Sequence, residues 1–132
     1  MGASVKIESN KKSENKKRAS FSIHLTADFY APAYFVEDED ELQKILFEAA
    51  RQSNSTPLKV AIHKFPVQGI TGVILLAESH ISLHTWPEYG YAAVDVFTCG
   101  KNAQPIKALE YLKNVFCPKK VKIRHVRRGT LL

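Results

Sequence analysis

Two runs of alternating apolar and polar side chains, residues 81–86 and 91–98, are separated only by Pro87-Glu88-Tyr89-Gly90. A period of two marks a strand half buried on a sheet, and a short loop with Pro first and Gly last has the chemistry of a tight reversal. The two runs are therefore expected to pair as an antiparallel hairpin. If the loop sets the register, Trp86 lies opposite Tyr91, and Cys99 lies opposite Glu78, beside Ser79. On the first strand His80, Ser82, His84 and Trp86 share one face, while Ile81, Leu83 and Thr85 share the other, which is the core face. Strict extension holds His84 well over ~10 Å from Ser79. Bringing the two together requires a bend after Ser79 or a different register.

The rest of the chain supplies neighbours for this hairpin. Phe21, Ile23 and Leu25 alternate with Ser22, His24 and Thr26 as a first strand. Residues 59–65 and 70–77 read as two more around a turn at 66–69, the second of them buried on both faces, and residues 119–126 close the chain as an alternating strand. Two stretches have helical spacing instead. The acidic run 37–41 precedes an apolar stripe of Leu42, Ile45, Leu46, Ala49 and Ala50, negative charge standing at the end the helix dipole favours. Pro105 opens a second helix with Ile106, Leu109, Leu112 and Phe116 facing inward. The order β-α-β-β-β-β-α-β implies an α+β two-layer sandwich, an antiparallel sheet with both helices on one face.

A length of 132 residues suits one domain, so one site is sought. The net charge of +6 would suggest nucleic acid were it spread over that domain. It is not: residues 1–20 carry six Lys/Arg against Glu8 and Glu14, residues 119–132 carry six against none, and the stretch between carries seven against eleven acids. The ends read as solubilising segments, residues 1–20 as a disordered basic tail and 21–132 as the domain, with no nucleic-acid partner. The sequence has no apolar run of bilayer length, no signal-peptide segment in its first twenty residues, and Lys6 where myristoylation at Gly2 wants Ser or Thr. A cytoplasmic protein without a membrane partner is expected. Cys99 and Cys117 are then free thiols, and no Cys/His pairing has the spacing of a metal site.

Reactive side chains concentrate in the eleven residues from Glu78 to Glu88, followed by Asp95 and Cys99. A Ser, a His and a Cys close together admit a nucleophile with a base. Hydrolase chemistry is disfavoured, because no Gly-x-Ser-x-Gly elbow surrounds Ser79 or Ser82 and spacing identifies no third triad member. Taken singly, His84, Cys99, Phe65, Trp86 and Glu88 are explained as well by packing or by a loop charge. The continuous run is what singles them out.

Glu78-Ser79-His80, His84-Thr85-Trp86-Pro87-Glu88-Tyr89-Gly90-Tyr91-Ala92-Ala93-Val94-Asp95 and Phe97-Thr98-Cys99-Gly100 resemble the signature of prokaryotic S-adenosylmethionine decarboxylase proenzymes. The similarity extends to His24-Leu25-Thr26-Ala27-Asp28-Phe29-Tyr30 and His63-Lys64-Phe65, so it covers the domain from about residue 21. The resemblance implies that Ser79 attacks the carbonyl of Glu78, and that the resulting ester eliminates to leave a pyruvoyl group on a chain of residues 79–132. Residues 1–78 remain as the other subunit. The pyruvoyl group forms a Schiff base with the substrate amine and serves as electron sink, so no external cofactor is needed. By the same resemblance His84 is the processing base, Cys99 the proton donor in decarboxylation, and Thr71 a hydroxyl that polarises the cleaved carbonyl. Phe65 and Trp86 sandwich the adenine, Glu88 holds the ribose, and the processed protomers form a homodimer with shared sites. The implied product is the aminopropyl donor for spermidine, a polyamine. Ala31-Pro32 departs from the pattern, which has Gly or Cys soon after the first strand. Two alternatives remain open: a same-fold arginine or ornithine decarboxylase, and an uncleaved non-catalytic partner subunit.

Overall fold

The hairpin forms the middle of the sheet. The computed structural model describes residues 4–9 and 22–129, which run β1 (Ser4–Ser9), β2 (Ser22–Pro32), α1 (Glu39–Gln52), β3 (Pro57–Lys64), β4 (Ile70–Leu76), β5 (His80–Trp86), a 3₁₀ turn (Pro87–Tyr89), β6 (Tyr91–Cys99), α2 (Pro105–Phe116) and β7 (Pro118–Arg128). The strands make one sheet in the order β1-β7-β2-β6-β5-β4-β3. Every pairing is antiparallel except β1 with β7. Trp86 pairs with Tyr91 and His80 with Phe97, the register that the four-residue loop implies. Gly90 closes that loop at φ +59°, a left-handed conformation that costs a glycine little.

One face of the sheet carries the core. Leu25, Ala27 and Phe29 of β2, Ile81 and Leu83 of β5, and Ala92, Val94 and Val96 of β6 are buried against the helices. On α1 the stripe Leu42, Ile45, Leu46, Ala49 and Ala50 is buried, as its spacing implies. Asp38 caps that helix by accepting from the Glu41 amide at 2.8 Å, a contact worth about 1 kcal/mol. Gly72 lets α1 sit close on β4: a Cβ there would lie 2.7 Å from a Leu42 methyl. Phe29 and Phe116 are both fully buried with ring centroids 5.9 Å apart, so Phe116→Ala should cost about 3–5 kcal/mol. This is the α+β two-layer arrangement read from the sequence.

Four details differ from that reading. The tail expected over residues 1–20 is described only at Ser4–Ser9, where it is a strand rather than a tail; residues 1–3 and 10–20, like Phe21, lie outside the described residues. Val5 and Ile7 do alternate with polar neighbours, but two apolar positions are too short a signal without the open edge of β7 beside them. β4 is buried on one face only, with Val73 half-buried and Leu75 exposed, because an all-apolar run carries no information about which faces are covered. Ile106 is 39% exposed although it has the spacing of the inward stripe. It sits in the first turn of α2 at the rim of an apolar cavity of about 520 Å³, and Ala108 takes the buried position instead. Finally, β3 begins two residues earlier than expected and ends at Lys64, one short of Phe65.

Candidate active site

The other face of the sheet is open among the described residues, and the chemistry lies along it. β5 places His80, Ser82, His84 and Trp86 there by simple alternation, and β2 and β6 add His24, Asp28, Asp95 and Phe97. These residues form two groups, one at each end of β5.

At the first end, Glu78 and Ser79 occupy the connection from β4 to β5, closed by the Leu76 amide donating to the Ser79 carbonyl at 2.8 Å. The Glu78 carboxylate accepts from the Thr56 amide at 3.0 Å and from its hydroxyl at 3.2 Å. The Thr56 amide is the main cause holding that carboxyl below the usual range. The Cys99 thiol donates to the Glu78 carbonyl oxygen at 3.0 Å. Cys99 is thus brought across the hairpin to the peptide that joins Glu78 to Ser79, as the register implies. The Ser79 hydroxyl lies 3.4 Å from Nδ1 of His80. That imidazole is packed edge-on against Phe97 and His24, at centroid distances of 5.7 and 6.4 Å. Burial, then the charge of His24, lowers its pKa, with Asp95 opposing. His24 Nε2 is 3.3 Å from Asp95, which also accepts from the Ser82 hydroxyl at 3.2 Å. Arg128 stacks over Phe97 at 4.6 Å.

At the second end, Thr71 and His84 are cross-strand partners, and the Thr71 hydroxyl meets His84 Nδ1 at 3.0 Å. Trp86 stacks on Tyr91, their centroids 5.5 Å apart, and the Tyr91 hydroxyl donates to Asp28. Burial and that carboxylate raise the tyrosine's pKa, keeping it protonated. A cavity of about 250 Å³ is lined by Phe65, Gln68, Thr71, Thr85, Trp86 and Glu88. It unites two aromatic faces with a carboxylate, which suits a flat, cationic or hydroxyl-bearing ligand. The residues given to adenine and ribose in the sequence are therefore neighbours, and so is Thr71.

The two groups do not meet. β5 continues unbroken from His80 to Trp86 in the expected register, so neither the bend nor the slip that would carry His84 to Ser79 occurs. Four residues of strand separate His84 from His80 by about 13 Å. Thr71 stays with His84, away from the Glu78 carbonyl of the same chain. Sequence reasoning gave His24, named only as part of the family resemblance, no role and overlooked Thr56 and Gln68, because their contacts depend on which strands and turns become neighbours. His80 was legible as a face-mate of His84, but its contact with Ser79 was not. Among the described residues no group of three or more His, Cys, Asp or Glu side chains could hold a metal, and both thiols are free.

Comparison with known proteins adds a family to this geometry. Residues 23–129 match the family model described as S-adenosylmethionine decarboxylase. The S-adenosylmethionine decarboxylase proenzyme of Acidithiobacillus ferrooxidans is 44% identical over 111 residues, covering 83% of this chain and 84% of that protein. The protein of the same name from Methanococcus vannielii is 46% identical over 94 residues, covering 71% of this chain and 77% of its own. Among solved structures, the adenosylmethionine decarboxylase of Aquifex aeolicus VF5 superposes with a TM-score of 0.78 at 35% identity, over 86% of this chain and 94% of that one.

Proposed function

The chain belongs to the S-adenosylmethionine decarboxylase family of pyruvoyl-dependent carboxy-lyases, and we propose that it is a proenzyme that cuts itself between Glu78 and Ser79 and then decarboxylates S-adenosylmethionine. One observation carries the proposal: the Cys99 thiol sits on the carbonyl oxygen of the Glu78–Ser79 peptide, at 3.0 Å. A donor there stabilises the negative charge that develops on that oxygen when Ser79 attacks. Thr56 anchors the Glu78 side chain and so fixes the peptide to be broken. The residues fit a pyruvoyl group made from Ser79, whose conjugated carbonyl supplies the electron sink for loss of carbon dioxide. In this reading Cys99 returns a proton to the substrate carbon as a general acid.

The cavity at the far end of β5 supports the choice of substrate. Phe65 and Trp86 offer faces for an adenine and for the sulfonium charge, and Glu88 offers acceptors for ribose hydroxyls. Arginine and ornithine would leave the aromatic slot unused. Because this cavity and His84 lie far along the strand from Ser79 of the same chain, the reading includes a homodimer. Pairing two open faces about a two-fold axis sets the Ser79 end of one copy against the His84 end of the other, where His84 serves as processing base. Leu75 and Tyr30, 47% and 38% exposed on that face, are the apolar surface such a pairing would cover. The product is the aminopropyl donor for spermidine. We place the enzyme in the cytoplasm; among the described residues no helix is long and apolar enough to cross a membrane.

Intact mass under denaturing conditions tests the reading. The expected result is two fragments split after Glu78, the C-terminal one bearing pyruvoyl in place of serine, while Ser79→Ala stays whole. Turnover of S-adenosylmethionine, arginine and ornithine is then compared on the cleaved protein. A single uncut chain without turnover would leave the non-catalytic partner subunit as the better account.

A further inference from the structure

The processing base expected from the sequence is His84, yet it stands four residues along a regular strand from the histidine that actually touches Ser79. From this geometry we infer that His80 is a second catalytic histidine, the group that takes the Ser79 hydroxyl proton in the first step of self-cleavage, the shift from amide to ester. The inference rests on the processing reading above and assigns His84 to the later elimination alone.

The distances and surroundings fit this role. His80 Nδ1 lies 3.4 Å from the Ser79 oxygen, and accepting there requires the Nε2–H tautomer of a neutral ring. Burial favours that neutral form. The groups facing the ring are His24 from β2, Asp95 and Phe97 from β6, Arg128 beyond Phe97 from β7, and Leu75, its cross-strand partner on β4. Asp95 alone of these favours the imidazolium that forms when the proton arrives, and it is kept in place by His24 and Ser82. The opposite reactant is prepared by Cys99, 3.0 Å from the carbonyl oxygen.

The step balances within the chain. The Ser79 oxygen gives its proton to His80 Nδ1 and bonds to the Glu78 carbonyl carbon, whose π pair moves onto the oxygen facing Cys99. His80 then returns the proton to the Ser79 nitrogen as the carbon–nitrogen bond breaks and the carbonyl re-forms. An ester and a free amine result, with no atom gained, lost or oxidised. His80 acts as base and then as acid, as an imidazole near neutral pH can.

Hydroxylamine separates this step from elimination, because it splits an ester at neutral pH and leaves an amide intact. Freshly isolated uncut chains of the wild type, Ser79→Ala, His84→Ala and His80→Gln are incubated natively with and without it, and fragment formation is followed by mass. His84→Ala should stay whole alone but split after Glu78 with hydroxylamine, at nearly the wild-type rate of ester formation. His80→Gln should be slowed on the order of a hundredfold in both conditions, at an unchanged melting temperature. The wild-type rate should rise with pH and level off below the ordinary histidine range, an inflection that His80→Gln lacks. If His80→Gln misfolds, His80→Asn is read in the same way against its own melting curve. A His80 variant that folds and splits as fast as the wild type overturns the inference but leaves the proposed function standing. A wild type that never splits, with hydroxylamine or without, overturns both.

Discussion

The two ends of β5 share a strand and a face but are built in opposite ways. Around Ser79 every reactive group already has its partner inside the chain: Thr56 on the Glu78 carboxylate, Cys99 on the Glu78 carbonyl, His80 on the Ser79 hydroxyl, and Asp95 between His24 and Ser82. Around Trp86 the rings are left open, Phe65 at 44% and Trp86 at 37% exposed, and Tyr89 beside them at 78%. The first step, the shift from amide to ester, has no ligand to wait for, so the groups that serve it can be fixed at folding. A binding end must stay uncovered until the substrate, or a second copy of the chain, arrives. The difference separates the amide-to-ester step from substrate binding, so each should respond to its own substitutions, while His84 of the binding end serves the later elimination.

Ser79→Ala would break the first end most completely, with cleavage abolished and one mass at the full chain, while the fold and the far cavity remain. Mixing would sharpen the comparison next. Uncut Ser79→Ala and His84→Ala chains, each inactive alone, should recover cleavage in part of the population when coexpressed, because a mixed dimer pairs an intact Ser79 end with an intact His84 end; mass spectrometry reads the fragments. No recovery would argue that each chain serves its own Ser79. Trp86→Ala should spare cleavage and raise the KM for S-adenosylmethionine roughly tenfold, the scale of one lost aromatic–cation contact of about 1–2 kcal/mol. A loss of cleavage in that variant would join the two ends that the structure separates.

The smallest effect is expected at Glu78. Its carboxyl is held below the usual range chiefly by the Thr56 amide, so the ion contributes stability above the unfolded carboxylate pKa and loses it as pH falls through the lower folded value. Glu78→Gln should therefore melt slightly lower than an otherwise identical Ser79→Ala protein near pH 7. That gap should close in acid. Measuring both on the uncleavable background keeps stability apart from processing.

Much of this molecule was legible in its residues. The alternation of 81–86 and 91–98 around Pro87-Glu88-Tyr89-Gly90 specified the register that puts Cys99 on Glu78, because turn length and a period of two leave one pairing that buries Ile81 and Leu83. The buried stripe of α1 followed from helical spacing in the same way. The open face of β4 and the exposure of Ile106 were not legible, since apolar identity says that a residue can be buried and not whether something arrives to cover it. β1 was missed because an edge strand needs a neighbour's free backbone more than a strong pattern of its own.

By itself, then, the sequence determined the strand periods, the hairpin register, the helix faces and the family signature, all properties that depend on residues near one another along the chain or on a single turn. Only the tertiary structure decided which histidine touches Ser79, which threonine holds Glu78, and that Phe65, Gln68 and Glu88 line one cavity. Those outcomes depend on how far a straight strand carries a side chain and on which loops come to lie side by side. Distance along a rigid strand grows by about 3.3 Å per residue, so Ser79 and His84, five residues apart, are close in sequence and far apart for a proton.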